Sequence, residues 1–168
     1  LVNHWPSRSG GEKLTQPGRN AGAALNKMVV DSLVAVDPAA KIIIMGDLND
    51  DPVSPSVKAV LKAAPRSENL AAGSLFNPMY SLYKKGIGSL AYRDAWSLFD
   101  QLIISSGATG DPATGYSFYQ AIVFNQPYLI QPSGQYKGYP YRSFVGDNYT
   151  GGYSDHFPVY LFFIKAVH

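Results

Sequence analysis

Cysteine is missing altogether from these 168 residues. That excludes a disulfide framework and a thiolate metal site, and it carries no information about compartment. Charge is scarce: 15% of residues are charged and the formal net charge is +2. A pI near 8.7 is only mildly basic, too weak to argue for nucleic acid by itself. No apolar run reaches transmembrane length, and no internal repeat is visible. The chain does not begin with methionine, nor with a charged stretch leading into an apolar one. It opens directly on "LVNHW", as if entered in the middle of a strand, so no targeting signal is legible and the localisation stays unassigned. What is present is a globular balance, with 46% hydrophobic residues. The length suggests one domain, by the rule of roughly 100–200 residues per domain. A free-standing domain of that size buries about 70% of its unfolded surface, so size does not limit the core.

"GRNAGAALNKMVVDSLVAVDP" reads as a helix. Leu25, Met28, Val29, Leu33 and Val36 fall on one face at helical spacing, and Pro38 closes the element. "KIIIMGD" reads as a short strand buried on both faces and ended by Gly46. "SPSVKAVLKAAP" suggests a second helix with Ser54 as cap and Pro55 at the first helical position. "LFDQLIIS", "YSFYQAIVF" and "FPVYLFFI" are further strands. Stretches 66–92 and 106–115 read as loops. Residues 132–153, rich in Gly, Tyr and Pro, read as a long surface loop. The order predicts an α/β protein whose second half is a largely antiparallel sheet.

Four short stretches carry chemistry. In "MGDLNDDP", Asp47 and Asn49 sit two apart after the buried strand and can offer an anion and an amide to one site; the other reading, which these residues alone favour, is an Asx-rich turn. In "FDQLIIS", strict alternation puts Asp100 on a face with Leu102 and Ile104. A carboxylate there is costly unless paired, and a histidine would serve; the other reading is a solvated strand edge. "NHWPSR" adds His4, weak on its own. "SDHFPV" sets Asp155 and His156 side by side at the mouth of an apolar strand, where a charge must be desolvated, paired or functional.

In their order, NHW, GDLN, DQLIIS and SDHFPV resemble the C-terminal half of the endonuclease/exonuclease/phosphatase superfamily, the deoxyribonuclease-like proteins, from Asn3 to about Ile164. "GYSFYQAIVF" and "GGYSDHFPVYLFF" look most like bacterial members. The resemblance implies a four-layer αββα sandwich, two sheets face to face with helices outside, and a site among loops at one sandwich edge. Residues 1–168 would then be a single, partial domain, since the family's N-terminal half, which supplies a magnesium-binding Glu, has no counterpart here. The resemblance implies that His156 is paired with Asp100, that Asp155 lies at the metal, and that Asp47 orients or deprotonates the attacking water. It further implies that Asn49 and His4 contact the phosphate. The cofactor would be Mg²⁺, or Mn²⁺, held weakly or not at all by residues 1–168 alone. The expected function is metal-dependent hydrolysis of a phosphodiester or phosphomonoester in nucleic acid, phospholipid or sugar phosphate. The alternative is a non-catalytic module that binds a phosphorylated or sugar ligand through its tyrosine-rich loops. Half a sandwich would also leave the apolar face of strands 42–45, 99–104 and 157–164 uncovered, so a second copy or the N-terminal half is expected to pack on it.

Overall fold

The computed structural model describes residues 1–167. The elements run β1 (Val2–His4), α1 (Glu12–Val36), β2 (Ile43–Asp47), a π-helical turn (Ser56–Val60), β3 (Leu75–Phe76), α2 (Met79–Lys84), β4 (Leu90–Tyr92), β5 (Ala95–Ser97) and β6 (Asp100–Ser105). A 3₁₀ turn (Ser106–Thr109), β7 (Ser117–Val123), a second 3₁₀ turn (Pro127–Leu129), β8 (Phe144–Val145), β9 (Asn148–Tyr149) and β10 (Val159–Ile164) follow. The result is a mixed α/β fold with several sheets and few helices.

The main sheet has the order β1-β2-β6-β3. β1 runs parallel to β2, and β6 antiparallel to it. One face packs on α1 and the π-helical turn around Ala23, Val30, Ile44, Val57, Leu61 and Ile103. The opposite face carries Leu102 and Ile104, which pack against β7 and β10 through Val123, Leu161 and Phe163. β7 and β10 form their own antiparallel pair. The described residues thus stack as helix, sheet and sheet.

Several expectations change. The inner faces of β2, β6 and β10 are not left bare, because both sheets are represented in the chain and cover one another. β2 is fully covered on one face only: Ile44 is buried, whereas Met45 is exposed. The helix begins at Glu12 and runs through Pro17. Its apolar stripe points outward: Leu25, Met28, Leu33 and Val36 are exposed, while Arg19, Ala23, Asn26 and Val30 are buried. The inward face must be small or polar because β1 lies close. A Cβ on Gly22 would come 2.9 Å from the Trp5 ring, and Asn26 exchanges amide hydrogen bonds with Asn3. "SPSVKAVLKAAP" forms only the short π-helical turn, and the Ser54 hydroxyl accepts from the Asp51 N–H instead of capping it. The stretch 66–92 holds β3, α2 and β4, and 106–115 opens with a 3₁₀ turn. Residues 132–153 are a loop apart from the two-residue strands β8 and β9.

Candidate active site

Strand register builds the core of the site. His4 pairs with Asp47 across β1 and β2, and Asp47 pairs with Asp100 across β2 and β6. Directly opposed residues project from the same face of a sheet, so three ionisable side chains form a row on adjacent strands. Gly46 makes the row attainable: its φ is +129°, and a Cβ there would lie 1.9 Å from the Asn3 carbonyl oxygen. Only glycine lets β1 approach so closely in that conformation. His156 arrives from the other sheet, in the loop before β10, and its Nδ1 donates to Asp100 Oδ2 at 2.7 Å. His4 Nε2 lies 3.7 Å from Asp47 Oδ2, with its side chain 76% exposed.

The charges in the row oppose one another. Burial pushes the Asp47 carboxyl up from its ordinary value, and the charge of Asp100 adds to this. The Asn49 backbone N–H (2.8 Å from Oδ1) and the two histidines act the other way without cancelling it. Burial disfavours the His156 imidazolium. The hydrogen bond to Asp100 and the negative charges of Asp100, Asp47 and Asp155 outweigh that, and its pKa is raised. Asp47, Asp100 and His156 each offer a ligand atom, all within 4.8 Å of one another. The donor set fits a hard divalent cation. Carboxylates directly opposite each other repel, one imidazolium balances only one of them, and Mg²⁺ or Mn²⁺ takes one or two carboxylates plus water. With Nδ1 committed to Asp100 Oδ2, Asp47 Oδ2 and Asp100 Oδ1 are the carboxylate oxygens of the group that accept no hydrogen bond among the described residues.

The other anticipated residues sit at different distances from this row. Asn49 is buried with φ +49°, a left-handed conformation that Asn tolerates. Its amide donates to the Trp5 carbonyl at 2.9 Å, so part of its hydrogen-bonding capacity is spent on holding the turn to the end of β1. Asp155 is exposed and outside the three-residue group; it lines a separate cleft with Arg142 and Tyr153.

Residues that the sequence did not single out hold the site in place. Ser89, fully buried, donates to Asp100 Oδ2 at 2.6 Å, and its carbonyl accepts from the Phe157 N–H at 2.7 Å. It therefore clamps Asp100 and the His156 segment together. Asp50, also fully buried, accepts from Ser56 Oγ at 2.6 Å and from Gln16 at 3.0 Å, and lies 2.8 Å from Arg19 Nε. The Arg19 N–H is not aimed at it, so that contact is ionic more than hydrogen-bonded. Arg8 donates to the Asn49 carbonyl at 2.9 Å and lies over the Phe99 ring. The two carboxylates of "NDD", Asp50 and Asp51, were the available signal: two adjacent acids after a buried strand need cations, but nothing local says which.

A row of carboxylates and histidines at one end of facing sheets, able to hold a divalent cation, is the kind of site that hydrolyses phosphoesters. The chain belongs to the endonuclease/exonuclease/phosphatase family: that family's model matches residues 1–165. Its members are typically phosphoester hydrolases and generally use divalent metals. No curated protein and no solved structure matches the chain.

Proposed function

We propose that residues 1–168 are one partial domain, the C-terminal half of a four-layer αββα sandwich, and that the protein carrying them is a Mg²⁺- or Mn²⁺-dependent phosphodiesterase or phosphomonoesterase. The observation that carries this reading is the His156–Asp100 pair set against Asp47, assembled from two sheets. The two-stranded β7–β10 sheet supports the half-domain reading. A lone pair of strands is marginal, and here it faces a four-stranded sheet, as though further strands belong beside it.

Asp155 is the carboxylate that would hold the metal, its negative charge felt at His156, with Asp47 and Asp100 facing the same imidazole. A bound divalent cation supplies charge neutralisation at the phosphoryl oxygens and Lewis acidity. Asp47, whose burial keeps it basic, orients the attacking water and takes its proton. Asp100 fixes the His156 tautomer with the proton on Nδ1, which favours the imidazolium beside the phosphate. His156 then stabilises the charge developing on the non-bridging oxygens, and its imidazolium gives its proton to the leaving ester oxygen as that P–O bond breaks. His4, exposed at the rim, and the amide capacity of Asn49 not used by Trp5 hold the phosphate in line.

The test is hydrolysis of a generic phosphodiester and a generic phosphomonoester by the intact protein with Mg²⁺ or Mn²⁺. Turnover is expected to disappear on chelation and return with metal. His156→Ala and Asp47→Ala should each lower the rate by at least about 10², the lower end of the range for positioned acid–base groups. Near-normal turnover in either variant removes that residue from the mechanism.

A further inference from the structure

Away from the row of carboxylates, a cleft of about 340 Å³ opens between the β4–β5 hairpin and the tyrosine-rich loop. That volume lies within the range of about 300–1,000 Å³ typical of small-ligand sites. Tyr92, Arg93, Asp94, Tyr136, Tyr139 and Arg142 line it. Its two walls are joined by a specific contact: the Tyr139 hydroxyl donates to Asp94 Oδ1 at 2.6 Å and accepts from the Asp94 N–H at 2.7 Å. The hairpin turn holds Arg93 and Asp94 at φ +49° and +63°, an unfavoured conformation for residues other than glycine. In it, the Arg93 guanidinium lies 5.2 Å from the centre of the Tyr92 ring.

Arg142 stands 5.4 Å over Tyr136. Its Nε is buried with no hydrogen-bond partner among the described residues. That nitrogen is closed off even to water, so it is the rest of the guanidinium, lining the cleft, that an anionic ligand oxygen would meet. Arg142 also borders the second cleft, of about 370 Å³, which continues through Tyr153 and Ser154 to Asp155, next to His156. A line of rings runs the same way. Tyr136 and Tyr139 lie 5.9 Å apart, Tyr139 and Trp96 6.0 Å, and Trp96 stacks on Phe157 at 6.0 Å, beside His156.

Flat rings alternating with guanidinium groups are the surface on which nucleobases stack while their phosphates are neutralised. An inositol phosphate would use the arginines but leave the rings idle, and the quaternary ammonium of a choline head group, which does seek aromatic faces, would be repelled by the guanidinium groups already over Tyr92 and Tyr136. We infer that the Tyr92–Tyr139–Arg142 cleft is an accessory subsite for a nucleotide flanking the scissile phosphate, its base against the tyrosines and its phosphate on Arg142, so that single-stranded nucleic acid is the substrate class. The inference rests on the phosphoesterase reading for the word substrate; the subsite as a nucleotide-binding cleft stands apart from it.

Binding in chelator separates the two. A fluorescently labelled oligothymidylate of about six nucleotides, within the length range bound by single-strand-binding folds, is titrated into the intact protein and followed by anisotropy. Tyr139→Ala and Arg142→Gln are each expected to weaken binding roughly 5- to 100-fold, the size of losing one stacking partner. Tyr139→Phe keeps the ring, loses only its two hydrogen bonds with Asp94, and should bind within a few-fold of wild type. It also serves as the folding control, with thermal melts for all variants. Inositol hexakisphosphate and phosphatidylcholine vesicles should not compete. The inference is overturned if the oligonucleotide does not bind, if both cleft variants bind it like wild type, or if either competitor displaces it. Hydrolysis that persists alongside unchanged binding in the cleft variants sinks the subsite and spares the phosphoesterase. Cleft-dependent binding without any hydrolysis does the reverse.

Discussion

Asp47 and His156 have raised pKa values, and raised values have opposite meanings for an acid and a base. For both, the associated stability is present below the unfolded pKa and is lost as pH rises through the folded one. Asp47 is therefore accommodated best when neutral, and its ionised form weakens the fold at neutral pH. Asp47→Asn keeps the acceptor for the Asn49 N–H while removing the charge, so we expect it to stabilise the protein by about 0.5–2 kcal/mol at pH 7. Urea unfolding should show that gap shrink as the pH falls towards 3.8, the ordinary carboxyl value, where Asp47 protonates in both states. A gap that is absent at pH 7, or that persists unchanged in acid, would mean that burial does not strain this carboxylate. His156 contributes in the physiologically useful direction. Its imidazolium supports the fold fully below about pH 6.5 and loses that contribution as pH climbs through its raised folded value. Removing the partner with Asp100→Asn should move the His156 titration downward in an NMR pH series; an unmoved or higher value would show that Asp100 is not what sustains the charge.

At the scale of elements, the strands were legible and the helix orientation was not. Alternation in "FDQLIIS" turns Asp100 to the face of Leu102 and Ile104, and the structure has it there, against β7 and β10. What no single strand reveals is which strands are neighbours. The row His4–Asp47–Asp100 exists because β1, β2 and β6 are adjacent and in register, a fact written in long-range pairing alone. The helix misleads for a related reason. Its outer stripe of Leu25, Met28, Leu33 and Val36 has the periodicity of a core face, yet the buried side carries Arg19 and Asn26. Their partners, Asp50 and Asn3, lie 31 and 23 positions away in the chain. A charge that is neutralised from a distance looks like a surface charge in sequence. The structure makes this testable. Asp50→Ala would leave Arg19, fully buried, without its counter-charge, and breaking such a pair costs about 3–5 kcal/mol. Because Asp50 also anchors the turn after Asp47 through Ser56 and Gln16, the loss should appear both as a lower unfolding midpoint and as lower turnover at temperatures where the protein is still folded. A variant within about 0.5 kcal/mol of wild type, the usual effect of a surface substitution, would show that the Arg19–Asp50 pair is not what holds that turn.

For the whole molecule, the decisive quantity is surface. A folded monomer of 18.2 kDa exposes about 8,100 Å² by the usual scaling with mass. This chain exposes 9635 Å², nearly a fifth more. The excess has an identifiable apolar part. On β10, Phe162 and Ile164 are exposed, Tyr160 packs edge-on against Phe162 at 5.2 Å, and the stripe of α1 faces outward on the far side. The inner faces of the two sheets are closed against each other, so the uncovered surface is not the sandwich interior but its outside and the open edges of the β7–β10 pair. A half-domain reading accounts for this: the remaining strands would extend the β7–β10 sheet, and the fourth layer would cover its outer face. An excess of roughly 1,500 Å² is one partner's share of a large, permanent interface, and open strand edges are templates for pairing. Residues 1–168 produced alone should therefore not remain monomeric. Light scattering is expected to give a mass above 18.2 kDa, and adding the N-terminal half of the parent domain should convert that species to a one-to-one complex with protected amides along β7 and β10 in hydrogen exchange. If the isolated chain is a clean monomer whose β7 and β10 amides are already as protected as those of β2 and β6, the fold is complete as it stands and the half-domain proposal fails, whatever the active-site variants show.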